Sequence, residues 1–147
     1  MGARISREGL ITRLAEYKDA KDFNDGVRLD LSYLDLVGVD LTGLDLTGAD
    51  LTGADLKGCD LVKTKLDNAV LKGVDLKFVD LPFACLTYVN FMYADFRGAN
   101  LRSIILRNVN FMYADFRGAN LQDISYKDVS FKGADLKGTI LEGFIRA

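Results

Sequence analysis

From residue 29 onward, apolar side chains fall on a beat of five. Leu or an aromatic ring occupies Leu31, Leu36, Leu41 and every fifth position after them, through Phe91, Phe96, Phe111, Phe116 and Phe131 to Leu141, 23 consecutive times without a slip. Two residues before each central side chain stands a small or apolar one, as at Ala49, Cys59, Val74 and Ile104. Asp or Asn usually lies between the two, and glycine is common two places after, as in Ala49-Asp50-Leu51-Thr52-Gly53. A helical stripe needs apolar spacings of three and four, and a plain strand needs unbroken alternation. Neither fits. Three residues alternate in-out-in and two more face out, which is a very short strand followed by a turn.

Strand and turn repeated at one fixed length wind a solenoid. The length of one coil is written in a longer identity: NFMYADFRGANL stands at 90–101 and again at 110–121, an offset of 20 residues. At that offset Phe91, Phe111 and Phe131 share one column and Phe96 and Phe116 the next, so aromatic rings of adjacent coils should stack. Four pentapeptides per coil predict an all-β, quadrilateral β-helix of about six coils, roughly 28 Å long at ~4.8 Å per coil. Leu and Phe fill its centre and Ala and Val its corners, leaving no interior space for water or ligand.

The units ADLTG, ADLKG, ADFRG and ANLRS resemble the pentapeptide-repeat family over about residues 29–143. The resemblance implies that the quadrilateral β-helix is right-handed. Lys65, Val70, Cys85, Ile105, Ser125, Ser130 and Ile140 depart from the usual Asp or Asn, and Thr64 and Thr139 place hydroxyls at inward sites. Pro82 takes an outward turn position, where a missing N–H is tolerable. None of these breaks the period, so no bend or insertion is expected.

A solenoid exposes its core at both ends and needs caps. Ser6 to about Ala20 reads as a helix, with Ser6 as N-cap and Leu10, Ile11, Leu14, Ala15 and Tyr17 as its apolar face, a short lid over the first coil. The expected organisation is a capping helix and loop over 1–28, the β-helix over 29–143 and a tail over 144–147. Ile140, Phe144 and Ile145 mark the far end. Some pentapeptide-repeat proteins dimerise end to end there, so these residues are a candidate homodimer contact, the alternative being that they fold back and plug their own coil.

Composition narrows the chemistry. The 147 residues contain no histidine and no tryptophan, and the two cysteines, Cys59 and Cys85, form no CxxC pair. The commonest general base and metal ligand is therefore missing, and no phosphate-binding loop appears. Carboxylates recur because the repeat recurs. No catalytic residue, cofactor or metal ligand is assigned, and the chain does not read as an enzyme. Free thiols point to a reducing, cytoplasmic setting. No membrane span is expected. Gly2 and Ser6 match the M-G-x-x-x-[ST] myristoylation pattern, which reads more simply as an ordinary start before a helix. Net charge is −2, which favours neither direct nucleic-acid binding nor an anionic membrane. It is unevenly spread: residues 1–60 carry 12 acids and 7 bases (−5), and 61–147 carry 9 acids and 12 bases (+3).

Sorting outward residues by 20 yields three candidate surfaces. Asp35, Asp55, Asp75, Asp95, Asp115 and Asp135 form a column beside Lys57, Lys77, Arg97, Arg117 and Lys137, which reads as a self-paired face. Asp30, Asp35, Asp40, Asp45, Asp50, Asp55 and Asp60 form an acidic zone with only Lys57 among them. Some members of the family resemble duplex DNA and bind DNA gyrase, so this zone is a candidate DNA mimic, unless its carboxylates cap turns. Met92, Tyr93, Met112 and Tyr113, with Tyr88, Cys85 and Ile105 towards the preceding side, form an apolar outward cluster suited to a protein partner. The leading expectation is a non-catalytic protein-interaction or scaffold module, and the alternative is a mimic directed at a type II topoisomerase.

Overall fold

The computed structural model describes residues 2–21, 28–141 and 145–146, with side chains at 2–17 and 28–141. The unit Ala49–Gly53 shows why the repeat has its composition, because each of its five backbone donors has a place. Ala49 N–H closes a turn on Leu46 O (3.0 Å), and Asp50 N–H reaches back to Leu29 O (2.9 Å). Leu51 N–H and Gly53 N–H reach forward to Val70 O (2.8 Å) and Lys72 O (2.9 Å). The remaining donor, Thr52 N–H, is taken by Asp50 Oδ1 at 2.9 Å. A backbone donor left without an acceptor costs free energy, so Asp or Asn before the central Leu completes the ladder. An amide oxygen serves as well as a carboxylate: Asn110 Oδ1 accepts from Met112 N–H at 2.9 Å.

Parallel bridges join residues 20 apart from Asp30 and Asp50 to Asn120 and Ile140. They persist at Lys65, Val70 and Ser130, so the departures leave the register intact as expected. Along one column they do change the backbone. Three-residue strands β1 (Cys85–Thr87), β2 (Ile105–Arg107) and β3 (Ser125–Lys127), with β4 (Ile145–Arg146), form a parallel sheet in that order. At Cys85, Ile105 and Ser125 extended backbone replaces the turn, whereas Lys65, Val70 and Ser130 also lack a carboxylate and keep it. Thr87 N–H is met by Asp67 Oδ1 of the preceding coil (3.0 Å).

The core is a set of columns. Phe91 stacks on Phe111 (ring centroids 5.2 Å, planes 9° apart) and Phe96 on Phe116 (4.9 Å, 4°), which is the stacking the 20-residue offset predicts. Neighbouring columns meet edge to face, as Phe91 does with Phe96 at 5.1 Å and 65°, the geometry that aromatic quadrupoles favour. Polar atoms at inward corners are satisfied. Thr64 Oγ1 donates to Leu41 O (2.8 Å), Thr139 Oγ1 to Phe116 O (2.9 Å) and Cys59 Sγ to Leu36 O (3.0 Å).

Helix α1 spans Arg7–Lys21, and Ser6 Oγ accepts Gly9 N–H at 3.2 Å, the N-cap arrangement. Leu10 and Leu14 are buried in the core, with Ile5 and Tyr17 packed against it. The apolar face is narrower than the sequence suggests: Ile11 is 45% exposed and Ala15 is exposed too, lining a shallow hollow with Gly43, Leu44 and Asp45 at the edge of the buried stripe. Before the helix, Ile5 N–H bonds Asp35 O (3.1 Å) and Asp35 N–H bonds Ala3 O (3.0 Å). That strand-like addition covers one side of the first coil and has no repeat signature. It also explains Gly2, where a Cβ would lie 1.6 Å from Tyr33 O.

At the other end burial fades. Tyr126, Phe131 and Leu136 are half-buried, and Ile140 and Leu141 are 49% and 40% exposed. Phe144 lies outside the described residues. Ile145 is placed in backbone only, opposite Ser125.

Candidate partner-binding surface

Each carboxylate of the acidic zone has structural work. Asp30, Asp35, Asp40, Asp45, Asp50, Asp55 and Asp60 all accept the N–H two residues on, at 2.8–3.2 Å. Hydrogen bonds from Ser32 hold Asp30 below the usual carboxylate range, and those from Thr42, with Arg7 nearby, do the same for Asp40. Cations that the local sequence does not suggest also arrive. Arg7 of α1 pairs with the Asp40 carboxylate (3.1 Å), donates to Thr42 O (3.0 Å) and also reaches Asp40 O. Lys65 of the next coil approaches Asp45 at 3.7 Å. The zone is thus less purely acidic than the count over residues 30–60 suggests.

The acid and base columns interlock as a staircase. Lys77 Nζ is 2.6 Å from Asp75 and 3.8 Å from Asp95. Arg97 pairs with Asp95 (2.7 Å) and reaches Asp115 (3.6 Å), and Arg117 pairs with Asp115 (2.6 Å) and reaches Asp135 (3.6 Å). Each cation bridges its own coil to the next. Hydrogen bonds from Arg117 hold Asp115 low. At Asp95 burial pushes upward but is outweighed by hydrogen bonds from Arg97, leaving a lowered pKa. A face neutralised in this way has little charge left for a partner.

The apolar cluster is different. Tyr93 and Tyr113 stack in neighbouring coils (5.3 Å, 11°) yet remain 54% and 46% exposed, while Met92 and Met112 beside them are half-buried. Tyr88 is 60% exposed and Ile105 41% exposed. The structure adds two residues that sequence reasoning passed over, Phe78 (63%) and Phe83 (75%). Phe78, Phe83, Tyr88 and Tyr93 occupy four successive corners of the chain, each at φ between 56° and 61°. Glycine takes the same corner in many other units, for instance Gly98 and Gly118. Lys63, Ser103 and Asp123 take the same left-handed corner, so that backbone belongs to the repeat and the exposed rings are what sets these corners apart. The available signal was an aromatic two places after the central Leu, where the repeat favours glycine.

Two hollows lie alongside. One, of about 550 Å³, is lined by Val62, Pro82, Phe83 and Cys85 with Lys63 and Lys65; the other, of about 350 Å³, by Ile105, Arg107, Asn108, Ser125, Lys127 and Asp128. Among the described residues no group of three or more His, Cys, Asp or Glu side chains could hold a metal ion. No helix among them is long and apolar enough to cross a membrane.

Comparison with known proteins agrees with the repeat. A solved structure of HetL, a pentapeptide repeat protein involved in heterocyst differentiation regulation in the cyanobacterium Nostoc sp. strain PCC 7120, is 28% identical over 79% of this chain, with a TM-score of 0.53. This chain covers only 61% of HetL. QnrB1, a plasmid-mediated fluoroquinolone resistance protein, is 23% identical over 78% of this chain and 62% of its own, with a TM-score of 0.44. A pentapeptide repeat protein of the Arabidopsis thaliana thylakoid lumen is 29% identical over 75% of this chain and 63% of its own, with a TM-score of 0.26. No protein of curated function gives a match. The family profile described as pentapeptide repeats matches in eight copies, over residues 27–61, 54–91 and 90–125. By that match the chain belongs to the pentapeptide-repeat family, whose members are right-handed β-helix solenoids.

Proposed function

We propose that this chain is a non-catalytic protein-interaction module, a four-sided rod of about six coils that presents side chains at fixed spacing to a protein partner in the cytoplasm. The observation that carries this reading is the exposed stacked pair Tyr93 and Tyr113, with the half-buried Met92 and Met112 beside them. Exposed aromatic and methionine side chains in contiguous positions suit the desolvated centre of a protein interface. A role in regulation, as stated for HetL, fits such a module. The test is capture of partners from an extract of the source organism. Replacing Met92, Tyr93, Met112 and Tyr113 together with Ser should abolish capture of a specific partner, and unchanged capture removes the patch from consideration.

The topoisomerase-directed mimic is the weaker reading, because the carboxylates of Asp30–Asp60 cap turns and meet Arg7 and Lys65. A gyrase supercoiling assay with and without a quinolone addresses it directly: dose-dependent inhibition or protection at micromolar protein revives it. The half-buried Phe131 and Leu136 and the exposed Ile140 and Leu141 support an end-to-end homodimer, which light scattering on the purified chain would detect.

A further inference from the structure

On the face of Asp75 to Asp135, Lys77, Arg97 and Arg117 each meet the Asp two places before and the Asp of the next coil. The face of β1, β2 and β3 departs from this pattern. Its outward positions before the central residue are Cys85, Ile105 and Ser125, and those after it are Thr87, Arg107 and Lys127. Register places Arg107 beside Thr87 and Lys127 beside Arg107. Two cations therefore sit next to each other in adjacent coils, on a face where both carboxylates that neutralise Arg97 and Arg117 have been replaced. No carboxylate among the described residues forms an ion pair with either.

The same face is apolar at its other end. Phe83 and Tyr88 bracket β1, and Cys85 and Ile105 are exposed along it. The two hollows described above lie on this face, one against Phe83 and Cys85 and the other against Arg107 and Lys127. Together they are lined by four cations, Lys63, Lys65, Arg107 and Lys127, and two carboxylates, Asp67 and Asp128. Asp67 is committed to Thr87 N–H, and Lys65 to Asp45. The face thus carries cations along its length, with its apolar side chains gathered at the Phe83 and Cys85 end, on a chain whose net charge is −2.

We infer that this face binds an extended acidic segment of a partner protein, with an apolar anchor side chain at the Phe83 and Cys85 end and acidic residues at the Arg107 and Lys127 end. Charge complementarity selects the acids, and the apolar hollow selects the anchor. Spacing follows from geometry. Two coil rises of about 4.8 Å span nearly 10 Å, or about three residues of extended peptide at ~3.3 Å each. Because successive side chains of an extended peptide point to opposite faces, the acids should follow the anchor by two and four positions, ~6.6 and ~13 Å on, within reach of the long Arg107 and Lys127 side chains. A narrow basic stripe beside carboxylates and self-neutralised faces suits one peptide strand better than a membrane surface or a nucleic-acid duplex. This inference rests on the reading of the chain as a protein-binding module.

The test uses the full chain and a fluorescein-labelled Gly/Ser peptide carrying one phenylalanine with two glutamates two and four residues later, followed by anisotropy. Binding should weaken about tenfold or more when both glutamates become glutamines, and by a similar factor when the protein carries R107E and K127E together. The peptide exchange needs no protein variant, so a folding defect cannot imitate it. Equal binding of the glutamine peptide, or no binding at millimolar protein, overturns the inference. Unchanged binding to the R107E/K127E protein overturns it as well. Serine replacements at Met92, Tyr93, Met112 and Tyr113 should leave this peptide bound. If the peptide fails while those replacements still abolish partner capture, the module reading stands and this face is removed. If the peptide binds and the replacements change no capture, this face stands and the Met/Tyr patch falls.

Discussion

The ring of Tyr113 lies over Gly133, its neighbour one coil on, so closely that a Cβ at Gly133 would sit 2.5 Å from ring Cδ1. Tyr33 over Gly53 and Phe78 over Gly98 repeat the relationship, with would-be contacts of 2.6 and 2.7 Å. A corner aromatic leans forward along the rod and occupies the space of the next corner's side chain. At these three corners the partner is glycine; Tyr93 instead stacks on Tyr113, and Phe83 and Tyr88 are followed one coil on by Ser103 and Asn108.

Gly133→Ala should therefore cost more than an ordinary corner substitution. Gly43 has a similar φ, +71°, but nothing within 4 Å of its would-be Cβ, so Gly43→Ala meets only left-handed strain, about 1–2 kcal/mol. Gly133→Ala adds the collision with Tyr113. Tyr113→Ala in the same chain should bring the cost of Gly133→Ala down to the Gly43 level, a coupling that denaturant melts of the four variants would measure.

The carboxylates of the repeat act first as hydrogen-bond acceptors. Asp50→Asn keeps an oxygen for Thr52 N–H and should change stability little. Asp50→Ala removes it and should cost about 1 kcal/mol. Equal losses in the two variants would show instead that the charge, and not the cap, is what Asp50 contributes.

The two thiols should behave oppositely. Burial pushes the Cys59 thiol up to about 11, and it donates to Leu36 O, so at neutral pH it stays protonated and inaccessible. Cys85 is exposed. A chromogenic disulfide reagent should titrate one thiol in the native protein and a second only on unfolding, with Cys85→Ser abolishing the native reaction.

The staircase makes stability fall in acid. The folded pKa of Asp115 is depressed by its hydrogen bonds from Arg117. Its contribution is fully present above the unfolded carboxylate value, about 3.9, and is lost as pH falls through the folded value. Asp115→Asn keeps the cap but loses the ion pairs. At neutral pH it should be less stable than the parent by under about 1 kcal/mol, and the gap should close both in strong acid and in high salt.

How much of this was legible in the chain differs from feature to feature. Leu31 to Leu141 announce the period, and the doubled NFMYADFRGANL announces the 20-residue offset that places Phe91 on Phe111. Such reading works because a solenoid converts local repetition into long-range contact: each residue's neighbours stand at one constant separation along the chain. The helix behind Ser6 was legible for its own local reason, the cap.

Contacts that do not follow the repeat offset were not legible. Arg7 meets Asp40 and Ala3 pairs with Asp35 only because the N-terminal segment folds back onto the first coil, and no period encodes that return. Phe78 and Phe83 were as legible as Tyr88 and Tyr93, since the residue two places after each central side chain faces out; the left-handed backbone at the corner is what aims those rings away from the filled interior. By itself the sequence determined the columns, because their partners recur at a single offset. The tertiary structure decided which cation meets which carboxylate and how the first coil is covered, because those depend on side-chain reach between coils and on how the ends close.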